Sequence, residues 1–304
     1  MLTEIADEWI AFVEECDSRF KESTDVEAPD LNERLLIYQT LLGAWPLDDR
    51  PDDTFRERVR EFLLKALREA KLHTSWSKIN EAYEHAALAW CDSLLGSGTF
   101  AVHSRDIRQR VALCGALNSL SQLVWKLGAP GVPDFYQGTE TWFLALVDPD
   151  NRRPADYDLG TRRVRDRRSV REKLERWQDG AIKAAVTRAG LAVRNAWPDL
   201  FRKGAYLPLQ AIGSRAAHAV AFARSSGDAT AVFAAARWYA TLCRSGLPDP
   251  AVWDDTALDV PPITGRWRNV LTGASVSAAP GERTRVRLAE LFDQLPFAIL
   301  VSER

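Results

Sequence analysis

The sequence predicts an α+β protein, with a mainly helical N-terminal part followed by a C-terminal antiparallel β-sandwich. Three observations support this fold class. Apolar side chains recur at helical spacing through the first 127 residues. After residue 198, short alternating apolar segments replace them, separated by glycine and proline. The composition, with 46% hydrophobic and 27% charged residues, is that of a chain that can bury a substantial core.

Several separate helices are predicted in the N-terminal part. Trp9, Phe12 and Cys16 recur at the spacing of one helix face. Asn80 supplies an N-cap for a later helix, and Gly128 with Pro130 ends the last one. The predicted helices cover residues 3–22, 31–42, a long stretch that begins near residue 52, residues 80–95 and residues 105–127.

The rest of the chain alternates between helix and strand. Residues 132–136 are predicted as a strand, although Pro133 interrupts it. Residues 162–197 return to helix, which Gly180 divides in two. The strands predicted for the C-terminal part include residues 218–222, 232–233, 286–288 and 297–301.

Charge and cysteine content exclude several function classes. A net charge of −2 gives no electrostatic case for nucleic acid or an anionic membrane surface. No signal peptide and no run of about 18 apolar residues is found. The four cysteines are widely spaced, which favours buried, reduced thiols. We therefore expect a cytoplasmic protein with no cofactor, no metal, no nucleic-acid partner and no membrane partner.

The most informative segment runs from residue 128 to residue 157. It combines carboxylates, amides and arginines with tyrosine and phenylalanine in about thirty residues after a long helix. Carboxylates and amides bind sugar hydroxyls, and aromatic faces cover the apolar side of a sugar ring. This composition predicts part of a carbohydrate-binding site.

Two other groups admit a functional and a structural interpretation. Lys71 lies near the end of a charged helix, where a solvated face is the simplest explanation, but His73 and Trp76 follow it on one loop. Arg152 and Arg153 either clamp a substrate carboxylate or hold the neighbouring aspartates in place. Spacing alone leaves both questions open.

Several segments together resemble maltooligosyl trehalose synthase, a family of the α-amylase superfamily that isomerises the reducing end of maltooligosaccharides. The central motifs are APGVPDFYQGTE at residues 129–140 and LVDPDNRRP at residues 146–154, followed by Asp156 and Tyr157. The other matching segments are residues 41–46, 65–76, 116–122 and 270–273. The match is collinear over essentially the whole chain.

The resemblance implies a fold and a set of substrate-binding residues. Residues 1–127 would be a helical insertion domain, residues 128–198 the last strand and helix of an incomplete (β/α)8 barrel, and residues 199–304 the C-terminal β domain. The three catalytic carboxylates of the superfamily lie upstream of the matched region, so no catalytic residue is expected here. The resemblance places the maltooligosaccharide against Lys71, His73, Trp76, Asp134, Tyr136, Gln137, Glu140, Asp148, Asp150, Asn151, Arg152, Arg153 and Tyr157.

Four interpretations remain open at this point. The chain is interpreted first as the C-terminal part of such a synthase, inactive by itself. A separate upstream chain that completes the barrel is a possible partner. Alternatively, the chain is a stand-alone α-glucan-binding or interaction module without catalysis, or a truncated product with no function of its own.

Overall fold

A computed structural model describes residues 1–20, 28–243, 246–263, 266–277 and 284–303. The chain divides into two compact units. The first comprises Met1–Ala112 with Leu144–Pro154, and the second comprises Leu113–Phe143 with Ala155–Arg304.

The first unit is helical. Buried side chains such as Tyr38, Leu63 and Phe100 form its core. The predicted cap at Asn80 is confirmed, since its side chain accepts from the Tyr83 N–H, and the Asp30 side chain accepts from the Glu33 N–H in a capping box that was not predicted. The helices are α1 (Ala6–Phe20), α2 (Leu31–Ala44), α3 (Asp53–Ala70), α4 (Glu81–Gly96), α5 (Gly98–His103) and the first part of α6 (Arg105–Gly128).

The helices of the second unit pack closely around the end of α6. A Cβ atom at Gly190 would lie 2.4 Å from the Leu127 side chain, so glycine is required for this approach. The helices that follow α6 are α7 (Tyr157–Val164), α8 (Val170–Glu175), α9 (Ala181–Ala196), α10 (Pro198–Arg202), and two single turns, α11 (Tyr239–Leu242) and α12 (Leu288–Leu291).

Two antiparallel sheets complete the second unit. The strands are β1 (Ala205–Leu209), β2 (Ala211–Ile212), β3 (Ala219–Ser226), β4 (Ala229–Ala236), β5 (Ala257–Val260), β6 (Arg266–Asn269), β7 (Ser275–Ser277), β8 (Thr284–Arg287) and β9 (Phe297–Glu303). The larger sheet has the order β1-β3-β4-β9-β6-β7, and the smaller has the order β2-β5-β8. Strand β4 is the most buried, because it pairs on both sides and its residues from Thr230 onward are all buried.

The end of α6 is joined to the larger sheet by close packing and buried polar contacts. A Cβ at Gly128 would lie 2.3 Å from the Phe233 ring on β4. The buried guanidinium of Arg224 donates hydrogen bonds to the Gly128 carbonyl at 3.2 Å and to the Gly204 carbonyl at 2.8 Å. These carbonyls accept hydrogen bonds from the Arg224 guanidinium, a cation that would be costly to bury without such partners.

Most of the predicted elements are confirmed among the described residues; positions 21–22 of the first predicted helix lie outside them. The chain is helix-rich with antiparallel sheets. The four cysteines are buried thiols. No helix among the described residues is long and apolar enough to cross a membrane. The three-part domain division stays a prediction.

Two local predictions are wrong. Residues 132–136 have no regular secondary structure, because a strand requires a partner strand and no described residue pairs with this segment. The long helix predicted over residues 162–197 does break at Gly180, but it also breaks before Ser169. There the Ser169 side chain forms a capping box with Glu172 and starts α8 as a new helix.

Candidate substrate-binding surfaces

Residues 71–80 form an ordered loop between α3 and α4. It begins at Lys71, which has a left-handed conformation with φ of 57°. The buried Thr74 hydroxyl donates to Glu84 Oε1 at 2.6 Å and accepts from the Asn80 N–H at 3.0 Å. Glu84 in turn accepts two hydrogen bonds of 2.8 Å from Arg68. These hydrogen bonds from Arg68, more than the contact with Thr74, lower the pKa of Glu84 despite its burial, so a charged pair holds the base of the loop.

The three predicted residues of this loop all point to its exposed side. Lys71 and His73 are exposed, and Trp76 is 57% exposed. His73 Nε2 lies 3.0 Å from Asp30 Oδ2, and its ring stacks on Tyr83 with 4.4 Å between the ring centroids. The structure therefore brings Lys71, His73 and Trp76 together on one loop.

A cluster beside His73 was not predicted. Asp30, Glu33 and His73 place oxygen and nitrogen atoms within 4.8 Å of one another, which is metal-ligand spacing. Glu33 Oε2 accepts from the Asp30 N–H at 3.0 Å and from the Tyr83 hydroxyl. The capping box of α2 explains why these groups are close without requiring an ion.

Residues 144–154 form a second loop of the first unit, and Asp150 is its buried centre. Asp150 accepts from Arg58 Nε at 2.7 Å and from the second Arg58 nitrogen at 2.9 Å. It also accepts from the Leu146 N–H at 2.6 Å. Burial raises the pKa of Asp150, but these hydrogen bonds and the charges of Arg58 and Arg153 outweigh it and lower the pKa. Asp150 is therefore an ionised anchor rather than an exposed ligand.

The arginines of this loop pair with its aspartates. Arg152 Nε lies 2.5 Å from Asp148 Oδ1, and Arg153 Nε lies 2.7 Å from Asp150 Oδ1. Of the two roles that the sequence left open for these arginines, the structure shows the one in which they hold the neighbouring aspartates. Asn151 is exposed at the tip of the loop.

Helix α3 orders both loops of the first unit. Arg58 binds Asp150 and also donates to the Leu144 carbonyl at 2.6 Å. Lys65 Nζ donates to the Asp148 carbonyl at 2.7 Å. Arg68, one turn further, fixes the 71–80 loop and lies 4.9 Å from the centre of the Trp76 ring. No sequence signal identified Arg58, because its partner is 92 positions away.

In the second unit, residues 132–143 follow α6 as an extended segment and then a turn. Asp134 is exposed, and its carbonyl accepts from Lys126 Nζ at 2.9 Å. Tyr136 is 65% exposed. Its carbonyl accepts from the Thr139 hydroxyl at 2.6 Å, which fixes the turn while the Tyr136 ring stays available.

Helix α7 meets this turn. The Tyr157 hydroxyl donates to Gln137 Oε1, so these two predicted residues lie in direct contact. A Cβ at Gly160 would lie 3.1 Å from Glu140 Oε1, so α7 also passes close to the Glu140 carboxylate. The structure thus brings Gln137, Glu140 and Tyr157 together.

Lys183 on α9 is a second residue that sequence reasoning missed. Its Nζ donates to the Thr141 carbonyl at 3.1 Å and lies 5.4 Å from the centre of the Trp142 ring. Burial, and then the charge of Lys126, lower the pKa of Lys183 to about 8. A small cavity of about 150 Å³ lies between these two lysines and Phe135.

The thirteen predicted residues are divided between the two units. Eight lie in the first unit, namely Lys71, His73, Trp76, Asp148, Asp150, Asn151, Arg152 and Arg153, and the other five lie in the second. The carboxyl groups whose pKa the structure shifts all have lowered values, which suits hydrogen-bond acceptors and ion pairs rather than a general acid. These carboxyl groups are Asp30, Asp49, Glu84, Asp150, Asp166, Glu172 and Asp255.

Comparison with known proteins identifies relatives in sequence and in structure. No protein-family model matches the chain. A Mycobacterium tuberculosis protein curated as a candidate maltooligosyl trehalose synthase is 36% identical over 276 residues, which cover 91% of this chain and 32% of that protein. The solved structure of maltooligosyltrehalose synthase from Arthrobacter ramosus matches 99% of this chain and 36% of its own, with 30% identity and a TM-score of 0.76. A hypothetical maltooligosyl trehalose synthase from Sulfolobus tokodaii matches the same shares, with 27% identity and a TM-score of 0.72.

These relatives share one name, since both the curated proteins and the solved structures are described as maltooligosyl trehalose synthases. More particularly, the chain is homologous to a part of maltooligosyl trehalose synthase, as its motifs suggested. It spans about a third of the length of the curated relatives that it matches.

Proposed function

We propose that the chain is the C-terminal part of a maltooligosyl trehalose synthase and supplies its substrate-binding wall but no catalytic carboxylate. The observation that carries this proposal is the asymmetric match, which covers 91% of this chain but 32% of the relative. Such an enzyme converts the α-1,4 linkage at the reducing end of a maltooligosaccharide to an α,α-1,1 linkage. It is therefore an isomerase, and it would act in the cytoplasm.

The reaction makes a specific demand on the binding wall. In a retaining mechanism, a carboxylate attacks the anomeric carbon, the α-1,4 bond breaks, and an acid protonates the departing glucose oxygen. That glucose must then turn, and its anomeric hydroxyl must attack the glycosyl-enzyme and release the carboxylate, while the deprotonated acid takes up the hydroxyl proton. Water competes at the same carbon, so the wall must hold the free glucose in place and exclude water.

Lys71, His73 and Trp76 are suited to this role because their loop is ordered while their side chains are exposed. In the proposal, Lys71, His73 and Trp76 approach the reducing-end glucose. An indole offers a flat apolar face to the sugar ring, and the ammonium and imidazole groups bind hydroxyls. Buried ion pairs, from Arg68 to Glu84 and from Arg58 to Asp150, hold both loops in one conformation. A preorganised wall loses little entropy when it captures the sugar.

The second-unit residues would line the end of the last barrel strand. Asp134, Tyr136, Gln137 and Glu140 are assigned to this edge. Tyr157 is assigned to the donor side of the substrate. The contact between Tyr157 and Gln137 supports the proposal, because it gives both polar groups a fixed direction.

The incomplete (β/α)8 barrel belongs to the same proposal. Residues 132–136 are extended and have no strand partner among the described residues. Val132 in this segment is 95% exposed, which is unusual for a valine. Both features are expected if the remaining strands come from the rest of the enzyme, whether on the same chain or on a separate partner chain.

The wall assignment can be tested in a chimera. The matching third of the Mycobacterium tuberculosis relative is replaced by this chain, and Trp76→Ala and Tyr136→Ala are introduced separately. Each variant should release several times more free glucose per trehalose linkage formed, because the cleaved sugar escapes before it re-attacks. Trp238→Ala, which removes another exposed indole, is the control. An unchanged product ratio in both site variants would count against the assignment.

A further inference from the structure

A cleft of about 850 Å³ lies in the second unit, at one end of the larger sheet. It is bounded by the β3–β4 hairpin, by the end of β9, by the segment after β5 and by the junction between α9 and α10. It shares no residue with the three segments that we assign to the binding wall. Its volume is in the range of small-molecule sites, which is about 300 to 1,000 Å³.

One side of the cleft is a row of hydroxyl groups on three neighbouring strands. Ser225 on β3, Thr230 on β4 and Ser302 on β9 lie side by side. The Ser225 and Thr230 hydroxyl oxygens are 3.2 Å apart, and the Thr230 N–H donates to Ser302 Oγ at 3.1 Å. Each hydroxyl can form up to three hydrogen bonds, so these contacts leave capacity for a ligand.

The hairpin turn adds a carboxylate to this row. Gly227, with φ of 58°, and Asp228 form the two-residue turn between β3 and β4. The Ser302 hydroxyl donates to the Asp228 carbonyl at 3.4 Å, which ties the turn to β9. Asp228 is exposed at the edge of the cleft.

The other lining residues of the cleft are mostly apolar. Trp197 is half-buried at the junction of α9 and α10. Its backbone N–H donates to the Val193 carbonyl, and its backbone carbonyl accepts from the Leu200 N–H, both at 3.1 Å. These two bonds fix the backbone that carries the indole. Pro261, Pro262 and Ile263 form the remaining apolar lining.

This lining selects a class of ligand. None of the described residues that line the cleft is lysine or arginine, and one is an aspartate, so phosphate groups and nucleic acid are disfavoured. A lining that combines apolar residues with a row of hydroxyls and a carboxylate fits a neutral molecule with an apolar face and hydroxyl edges. A pyranose chain has this character, and the cleft is large enough for more than one sugar unit.

We propose that this cleft binds a neutral α-glucan chain, with one glucose ring stacked on Trp197 and its hydroxyls bonded to the row formed by Ser225, Thr230 and Ser302. The choice of an α-glucan among neutral saccharides rests on the proposed function. Such a site would keep a long maltooligosaccharide attached to the protein independently of the binding wall.

The test is a titration of the full chain with maltoheptaose, followed through the 15N–1H resonance of the Trp197 indole. The variant Trp197→Phe assigns this resonance by removing it. We expect the resonance to shift during the titration. Trp197→Ala should bind maltoheptaose about fivefold more weakly by calorimetry, since an aromatic face contributes about 1 kcal/mol beyond buried area.

Two further variants separate binding from folding. Thr230→Val keeps the shape of the side chain and removes one hydroxyl of the row, so it should also weaken binding. Trp238→Ala removes an exposed indole that does not line the cleft, and it should bind as the native chain does. Circular dichroism establishes that each variant is folded.

Several results would overturn the proposal. They are an unmoved Trp197 resonance, equal affinity of Trp197→Ala and the native chain, or a preference for cellohexaose over maltoheptaose at this indole. The proposed function can fail separately, through the product ratio of the chimera. The two ideas are therefore tested by different readouts on different residues.

Discussion

Replacing Asp150 by asparagine tests how the 144–154 loop is held. The Asp150 side chain is 5% exposed and is paired with Arg58, which is 16% exposed. Asparagine has nearly the same shape, but it loses the charge and turns one acceptor into a donor that faces other donors. Asp150→Asn therefore removes the electrostatic anchor without leaving a cavity.

The size of the effect follows from the hydrogen bonds that the substitution weakens or breaks. Asp150 accepts two charge-assisted bonds from Arg58 and one bond from the Leu146 N–H. Breaking a buried charge pair from one side costs about 3 to 5 kcal/mol. Asparagine keeps one acceptor oxygen and Arg58 keeps its bond to the Leu144 carbonyl, so we expect the lower end, about 3 kcal/mol.

Urea unfolding at pH 7 measures this destabilisation, and amide hydrogen exchange at Leu146 should become faster in the variant. The lowered pKa of Asp150 makes its contribution pH-dependent: it is complete above the ordinary carboxyl value of 3.8 and is lost as the pH falls through the native value. Arg152→Ala is the matched control, because Arg152 is 75% exposed and its pair with Asp148 should contribute less than about 1 kcal/mol. If Asp150→Asn were as stable as this control, the anchor would not exist.

Three other changes have defined outcomes. The lowered pKa of Lys183 means that the native chain loses this proton before the unfolded chain does, so stability should rise between about pH 8 and the ordinary value of 10.5. Lys183→Met should abolish that rise in unfolding experiments across this range. Gly128→Ala should destabilise the protein by about 3 kcal/mol because the new Cβ meets the Phe233 ring, whereas Gly115→Ala, with open space, should raise thermal stability slightly. Glu84→Gln should cost about 2 kcal/mol and increase proteolytic cleavage within residues 71–80, and normal resistance to cleavage would contradict the role assigned to that ion pair.

Local patterns predicted the helices well because their causes are local. The spacing of apolar residues and the Asn80 cap act within a few positions. The predicted spacing is found in α1, and the predicted cap is found at the start of α4. The strand at residues 132–136 was wrong for the opposite reason. A strand depends on a neighbour that the segment itself does not encode.

The site shows the same division. The sequence indicated which segments are polar and aromatic, but not which of their residues are buried. Asp150 and Asn151 are adjacent in the motif, yet Asp150 is an anchor and Asn151 is exposed. The difference comes from Arg58 on a distant helix, which no local pattern could identify. Lys183 was missed likewise, because its surroundings arise only when α9 packs against residues 135–142.

The most direct test of the account is the conversion of maltopentaose to a non-reducing product. The purified chain is assayed alone and after mixing with the separately produced remaining two thirds of a synthase relative. We predict no conversion by the chain alone and measurable conversion by the mixture. Conversion by the chain alone would show that it carries its own catalytic groups and would contradict the central claim.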